Sequence, residues 1–422
     1  GGGTDDKDPG TKDPGITDDE EEIATFTVTF ESNGGGSVDA LTLEEGSLLT
    51  LSYDIVPDPE EGKYFAGWYK DAECSDDQLW DFAYEKVTAD VTLYAKWGII
   101  VDTFTWRTGT DDNIIIFSIS GSDKVIAIPE EIDNKKVIKF NDDGGGIDAN
   151  TVISVILPDT FLSAYAGAFR NCSSLTSILV SKNHPNYSTK NGYLCNKAGD
   201  TLEVFPLGKK DLSDLPDSIT TIQDYTFSQY NSLTSISIPQ SITTMGNNVF
   251  YNCTNLESVI LPDSVTAIGE GAFEKCTSLT SVTLPASLDV IPLGAFTNCS
   301  SLTSLTTSDS ITVSDSFTIP DTVTAIGLYA FYKCTGLTSV TIPDSVKEIN
   351  VSSFQGCTSL SKVYLPASAP DILYFGEIRV DNKAFDDNAP DRTFYVPAGS
   401  LADYQNSESW TNYIDSFVEL SE

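Results

Sequence analysis

Cysteine is the residue type in this sequence with the most evident capacity for chemistry: there are eight in 422 residues. Six of them, Cys172, Cys253, Cys276, Cys299, Cys334 and Cys357, each follow a phenylalanine by three positions, and Tyr230 takes the same place once. An even number of cysteines in an exported chain invites a disulfide framework. Copies of one repeat would hold these residues one strand spacing apart, with parallel side chains that leave Cβ atoms about 4.8 Å apart, beyond the ~3.5–4.5 Å of a disulfide. Tyr230 in the same column shows that pairing is not required, so a buried ladder of free thiols is expected. No C-x-x-C occurs, and nothing else in the sequence sets up a zinc site.

His184 is the only histidine, so any Ser–His or Cys–His nucleophile would have to use it. It lies between Asn183 and Pro185, a turn setting. The 62 acidic residues could supply a carboxylate pair for glycoside hydrolysis, but no cleft-forming scaffold is evident and the acids read as solvated faces. No catalytic, cofactor-binding or metal-ligating residue is assigned, no cofactor is expected, and a non-enzyme follows.

The elements that carry these residues are written many times over. The stretch 261–284, L-P-D-S-V-T-A-I-G-E-G-A-F-E-K-C-T-S-L-T-S-V-T-L, has copies on both sides. Its phenylalanine recurs as Phe169, Phe227, Phe250, Phe273, Phe296, Phe331 and Phe354. Three residues past each Cys or Tyr230 comes Leu175, Leu233, Leu256, Leu279, Leu302, Leu337 or Leu360. A repeat of this length with L-x-x-V-x-L spacing is the broad leucine-rich-repeat signature. One copy offers about six apolar side chains, worth ~1.5–3 kcal/mol each when buried, whereas ordering its backbone costs ~1–2 kcal/mol per residue. A lone coil therefore loses, and stacked coils sharing a core and a strand ladder win. Period-two alternation in each closing strand puts Val282 and Leu284 inside and Ser281 and Thr283 outside. The outward columns are Ser235, Ser258, Ser281, Ser304, Ser339, Lys362 and Ser237, Ile260, Thr283, Thr306, Thr341, Tyr364, with Tyr364 their only aromatic residue.

A net charge of −38 repels phosphate backbones and anionic headgroups, so nucleic acid is excluded as a partner. No apolar run reaches the roughly 18 residues of a membrane span; Ile114 to Phe117 is strand-sized. The chain opens Gly1-Gly2-Gly3 and its only methionine is Met245, which suggests processing downstream of a removed leader. Residues 1–22 carry one apolar side chain beyond Gly and Pro, Ile16, and read as a flexible acidic linker. Their Asp cluster lacks calcium-loop spacing.

Residues 23–98 hold short alternating strands, a Ser32-Asn33-Gly34-Gly35 turn and enough aromatics (Phe65, Trp68, Tyr69, Trp80, Phe82, Tyr94, Trp97) for a small core. F-x-S-N-G-G, G-W-Y, W-D-F and V-T-x-D-V-T-L-Y-A-K-W resemble the internalin-type B repeat of bacterial surface proteins, which implies a β-grasp-like spacer or contact module. Residues 99–154 read as an N-terminal cap and degenerate first repeat, with an Asn141–Asp148 loop where later copies place G-x-x-A-F-x-x-C. Over residues 155 to 366, I/L-P-x-S-V-x-x-I-x-x-x-A-F-x-x-C-x-x-L-x-x-V-x-I/L-P resembles the BspA-type leucine-rich repeats; the repeats proper are placed at 155–370 and a C-terminal cap at 371–422. Tyr230 and Thr307 depart from the pattern as tolerated variation.

The expected fold is mainly β: a leucine-rich-repeat solenoid with a parallel strand ladder and short helical or 3-10 turns, preceded by the small β-grasp-like domain. The resemblance implies an exported protein at the cell surface, lipid-anchored through a removed N-terminal segment, monomeric, and acting as a non-catalytic adhesin-like binder. Its partner would be a host or bacterial surface protein or a matrix component, with an extracellular glycan as the alternative. The outward face, Ser235, Ser258, Ser281, Thr283, Ser304, Thr306, Ser339, Thr341, Lys362 and Tyr364, is the candidate binding surface.

Overall fold

The structure is a computed structural model that describes residues 24–421 apart from 83, 142–145, 148–149, 308–316, 375–376, 379–382 and the side chains of 374, 377 and 378. The linker read at 1–22 and most of the Asn141–Asp148 loop lie outside the described residues.

Apolar residues alternating along short segments make the first unit a mixed sheet of four strands: β1 (Thr25–Glu31), β2 (Leu41–Glu44), β3 (Lys63–Tyr69) and β4 (Val91–Ile99). Their order is β2-β1-β4-β3, with β1 and β4 parallel at the centre and both outer pairs antiparallel. Val28, Phe30, Phe65, Trp68, Trp80 and Leu93 fill its core, and the Trp68 indole donates to the Ile55 carbonyl at 2.8 Å. Asn33 and Gly34 both have positive φ, 49° and 104°, so the glycine run is a tight turn after β1.

A hairpin of β5 (Phe104–Thr108) and β6 (Ile114–Ile119) follows, then β7 (Val125–Ala127), and a second hairpin of β8 (Glu131–Ile132) and β9 (Lys135–Phe140). These close the end of the solenoid core. Phe140 lies edge-on to Phe161 and Phe169, at 5.1 and 5.5 Å.

Beyond this point most coils contribute two short strands and a turn, and the strands pair with those of neighbouring coils in two interrupted ladders, broken in the first between Thr307 and Phe317 and in the second between Ile268 and Val290. The first ladder runs through β7, Ser154–Ile156 and Ser177–Leu179, then Ser235–Ser237, Ser258–Ile260, Ser281–Leu284 and Ser304–Thr307, and finally Phe317–Thr318, Ser339–Thr341, Lys362–Tyr364, Thr393–Val396 and Phe417–Glu419. Every pairing within it is parallel. The insert after His184 forms an antiparallel meander, Tyr187–Lys190, Tyr193–Asn196 and Thr201–Val204, whose last strand starts the second parallel ladder. This insert interrupts the first ladder between Leu179 and Ser235.

Inside, the phenylalanines stack into a column. Phe227, Phe250, Phe273, Phe296, Phe331, Phe354 and Phe385 follow one another with ring centroids 5.0 to 5.5 Å apart and planes within 15°. Phe385 extends this column past the last sequence repeat, and Phe205 from the insert precedes Phe227 at 4.9 Å. Two turn positions per coil take the left-handed conformation: one two residues before the phenylalanine (Tyr225, Asn248, Tyr329, Ser352) and one two residues after it (Gln229, Asn252, Lys275, Asn298, Lys333). Non-glycine residues there are held by inter-coil backbone hydrogen bonds, such as Asn252 N to Glu274 O at 2.7 Å.

Candidate binding face

The cysteine column is a row of hydrogen-bond donors. All six thiols are fully buried, and five donate to the carbonyl of the phenylalanine one coil earlier: Cys253 to Phe227, Cys276 to Phe250, Cys299 to Phe273, Cys334 to Phe296 and Cys357 to Phe331, at 2.9 to 3.1 Å, while Cys172 reaches Ile147 O at 3.6 Å. Tyr230 does the same with its hydroxyl, reaching Phe205 O at 3.1 Å. What reads as tolerated variation in the sequence is thus conservation of a donor. All eight cysteines are free thiols. Burial pushes the Cys357 thiol up to about 12, and does the same in direction for Cys276, Cys299 and Cys334, so thiolate chemistry is suppressed.

His184 is also wholly buried. The Asn186 and Tyr187 backbone amides both donate to its Nδ1 at 3.2 Å, which assigns the proton to Nε2 and makes the imidazole a turn cap. Burial lowers its pKa. Among the described residues no three His, Cys, Asp or Glu side chains converge to hold a metal ion.

The predicted outward residues form two aligned groups. Ser235, Ser258, Ser281 and Ser304 lie in register in one row, and Ser237, Ile260, Thr283 and Thr306 in the next. Thr283 and Thr306 share a hydroxyl–hydroxyl hydrogen bond at 3.1 Å. Ser339 and Lys362 align in the second group, as do Thr341 and Tyr364. Ile260 is an exposed apolar member of the face, at 52%.

Two features of this face differ from the sequence reading. Tyr364 is not alone: Tyr395, on the strand Thr393–Val396, pairs with it in register, and the two rings stack at 4.9 Å and 19°. Val418 continues the row. The motif Phe394-Tyr395-Val396-Pro397 repeats the strand-closing V-x-L-P of earlier coils, which is the signal that places Tyr395.

The second difference is that the first three coils do not present a free face. In them the outward positions are Val125 and Ala127, Ser154 and Ile156, and Ser177 and Leu179, and the N-terminal sheet covers them. Val125, Ile156 and Leu179 share one core with Phe65, Trp68 and Trp80, while Tyr64 and Ala66 join the core of the first coils. A polar cluster completes the joint: the Tyr64 hydroxyl donates to Asp123 Oδ2 at 2.6 Å, and Lys96 Nζ lies 3.2 Å from Asp123 Oδ1. Ile156 and Leu179 are 2% and 5% exposed, against 52% for Ile260 at the equivalent outward position.

Residues 148–197, 210–316 and 314–375, more than half of the chain, match the BspA type leucine rich repeat region in six copies. The chain belongs to this family. Within it, the BspA-type coils account for the phenylalanine and cysteine columns and for both ladders. Residues 26–96 match the Listeria-Bacteroides repeat domain. Two Evansella cellulosilytica proteins whose names call them membrane proteins are 46% identical over 87 residues and 45% identical over 78 residues, or 21% and 18% of this chain. The chain spans about a tenth of the length of these curated relatives, 10% and 11%. A leucine-rich repeat protein from Eubacterium ventriosum of known structure is 20% identical, with a TM-score of 0.46, covering 68% of this chain and 93% of its own. No helix of the described residues is long and apolar enough to cross a membrane.

Proposed function

We propose that this BspA-type protein is a non-catalytic, adhesin-like binder at the cell surface, and that the outward face of the first ladder is where a host or bacterial surface protein or a matrix component docks. Export, attachment to the surface through a lipid, and a monomeric state belong to the same reading, as does an internalin-type B-repeat character for residues 23–98. The observation that carries the proposal is that this face already takes a protein domain over its first three coils, where Ile156 and Leu179 stand in place of the hydroxyls found later. Beyond the covered section the outward residues are exposed or half-exposed and mostly hydroxyl-bearing, with Ile260, the Tyr364–Tyr395 pair and Val418 as the large apolar groups. Tyrosines of this kind contribute disproportionately at protein interfaces because they bury area at low entropic cost.

A glycan is the second reading, and the Tyr364–Tyr395 pair is the observation that favours it. Sugar rings stack on open aromatic faces, however, and here one face of each ring is taken up by the other. The protein reading ranks first for that reason. The test is binding of the purified chain to matrix proteins, whole cells and a glycan array, with Thr283→Arg/Thr306→Arg and Tyr364→Ala/Tyr395→Ala variants. Loss of protein binding in both, with Thr266→Arg on the opposite ladder unaffected, is expected. Equal loss from Thr266→Arg, or glycan binding alone that vanishes in the tyrosine variant, overturns it.

A further inference from the structure

The joint between the N-terminal module and the first coils leaves an open cleft of about 580 Å³. Its floor is apolar and buried: Phe65, Ile100, Ile128 and Ile132, with Trp106 and Tyr53 half-exposed at the sides. Its two banks come from separate units, the loop Asp58–Gly62 of the module and the β8–β9 hairpin with its Asp133–Asn134 turn. Both banks are acidic. Asp58, Glu60, Glu61, Glu130, Glu131 and Asp133 line the cleft against one cation, Lys63. Lys63 is taken by Glu60 at 2.7 Å, and among the described residues the other five carboxylates have no cationic partner. These five are exposed and stand beside a floor of low polarity.

We propose that this cleft is a binding site for an extended peptide segment that carries arginine or lysine on both sides of an apolar side chain. The apolar residue seats on Trp106 and the isoleucines, and the flanking cations reach one acidic bank each. A volume of this size accommodates a few residues rather than a folded domain. Charge complementarity selects the occupant, since an anionic or neutral sugar would leave five carboxylates unpaired beside an apolar floor. The Tyr53 phenol records the same field: burial together with Glu130, Asp159 and Asp58 pushes its pKa up to about 12. The site is distinct from the hydroxyl-lined face, so its failure leaves the proposed function standing.

The test is calorimetric titration of the whole chain with acetylated Arg-Leu-Arg amide. A net charge of −38 attracts any cation, so the controls must separate the cleft from the general field. Saturable one-to-one binding is expected, weakened about tenfold by Glu130→Gln/Glu131→Gln/Asp133→Asn. The equally neutralising set Asp217→Asn/Glu257→Gln/Asp321→Asn, on distant coils, should leave it unchanged. Acetylated Arg-Gly-Arg amide should bind about tenfold more weakly, through loss of the apolar anchor. The proposal is overturned if no saturable binding is found, if both neutralised sets weaken it alike, or if the glycine peptide binds equally well.

Discussion

Replacing Cys276 by serine should cost less stability than replacing it by alanine. The thiol has no exposed surface and donates to Phe250 O at 3.0 Å, while the same carbonyl also accepts the Cys253 amide at 3.2 Å within its own coil. Alanine removes one buried heavy atom, about 1 kcal/mol of transfer and dispersion, and one buried hydrogen bond, about 1 kcal/mol net. A loss of about 2 kcal/mol is expected. Serine keeps the donor and forfeits only part of the packing, so about 1 kcal/mol or less is expected. If the column were held by packing alone, the order would invert, because a buried hydroxyl without a partner costs roughly 1–3 kcal/mol. Urea unfolding of both variants at constant slope measures the difference, and amide exchange in the flanking coils shows whether the change is local. Serine at least as destabilising as alanine would refute the donor reading. Tyr230, which reaches the equivalent carbonyl from a different side chain, is the natural precedent for the expected order.

Three further outcomes follow from the same structure. Reaction of the native protein with a thiol reagent should modify at most Cys74, the half-exposed one, whereas all eight thiols should titrate in denaturant; a shortfall in denaturant would mean disulfides. His184 has its pKa lowered by burial, so above the unfolded value near 6.5 its contribution is fully present, and it is lost as pH falls because the unfolded chain takes up the proton more readily. The denaturation midpoint should fall between about pH 6.5 and 5.5, and fall by less in His184→Asn, which lacks the titrating group. Leu179→Glu places a charge in the shared core of module and coils, so the module should detach while the coils stay folded, seen as protease cleavage near Ile99–Thr103 and a larger radius in scattering; an unchanged radius would argue that the docking is incidental.

Much of the fold was legible in the sequence because the code for it is local and repeated. The inward set of phenylalanine, cysteine, leucine and valine is fixed by the two-residue strand period and by copying at a constant step, and the structure stacks those side chains accordingly. The insert after His184 and the Phe385 coil were harder to read, since there the spacing breaks and only packing against a neighbouring coil restores the column. The donor role of the cysteines was hidden for another reason. A sequence shows that cysteine recurs, but not which carbonyl lies above it.

The sequence by itself determined a BspA-type solenoid, the inward and outward columns, and the absence of any repeated catalytic pairing. Tertiary structure alone decided which part of the outward face is free. Ile156, Leu179 and Ile260 have the same periodic position and the same apolar character, yet the first two are covered by the N-terminal module and the third faces solvent. That distinction depends on complementarity between segments distant in the chain, to which periodicity is blind. The stacking of Tyr395 on Tyr364 and the acidic cleft between module and coils arise in the same way, from surfaces that meet only once both units have folded.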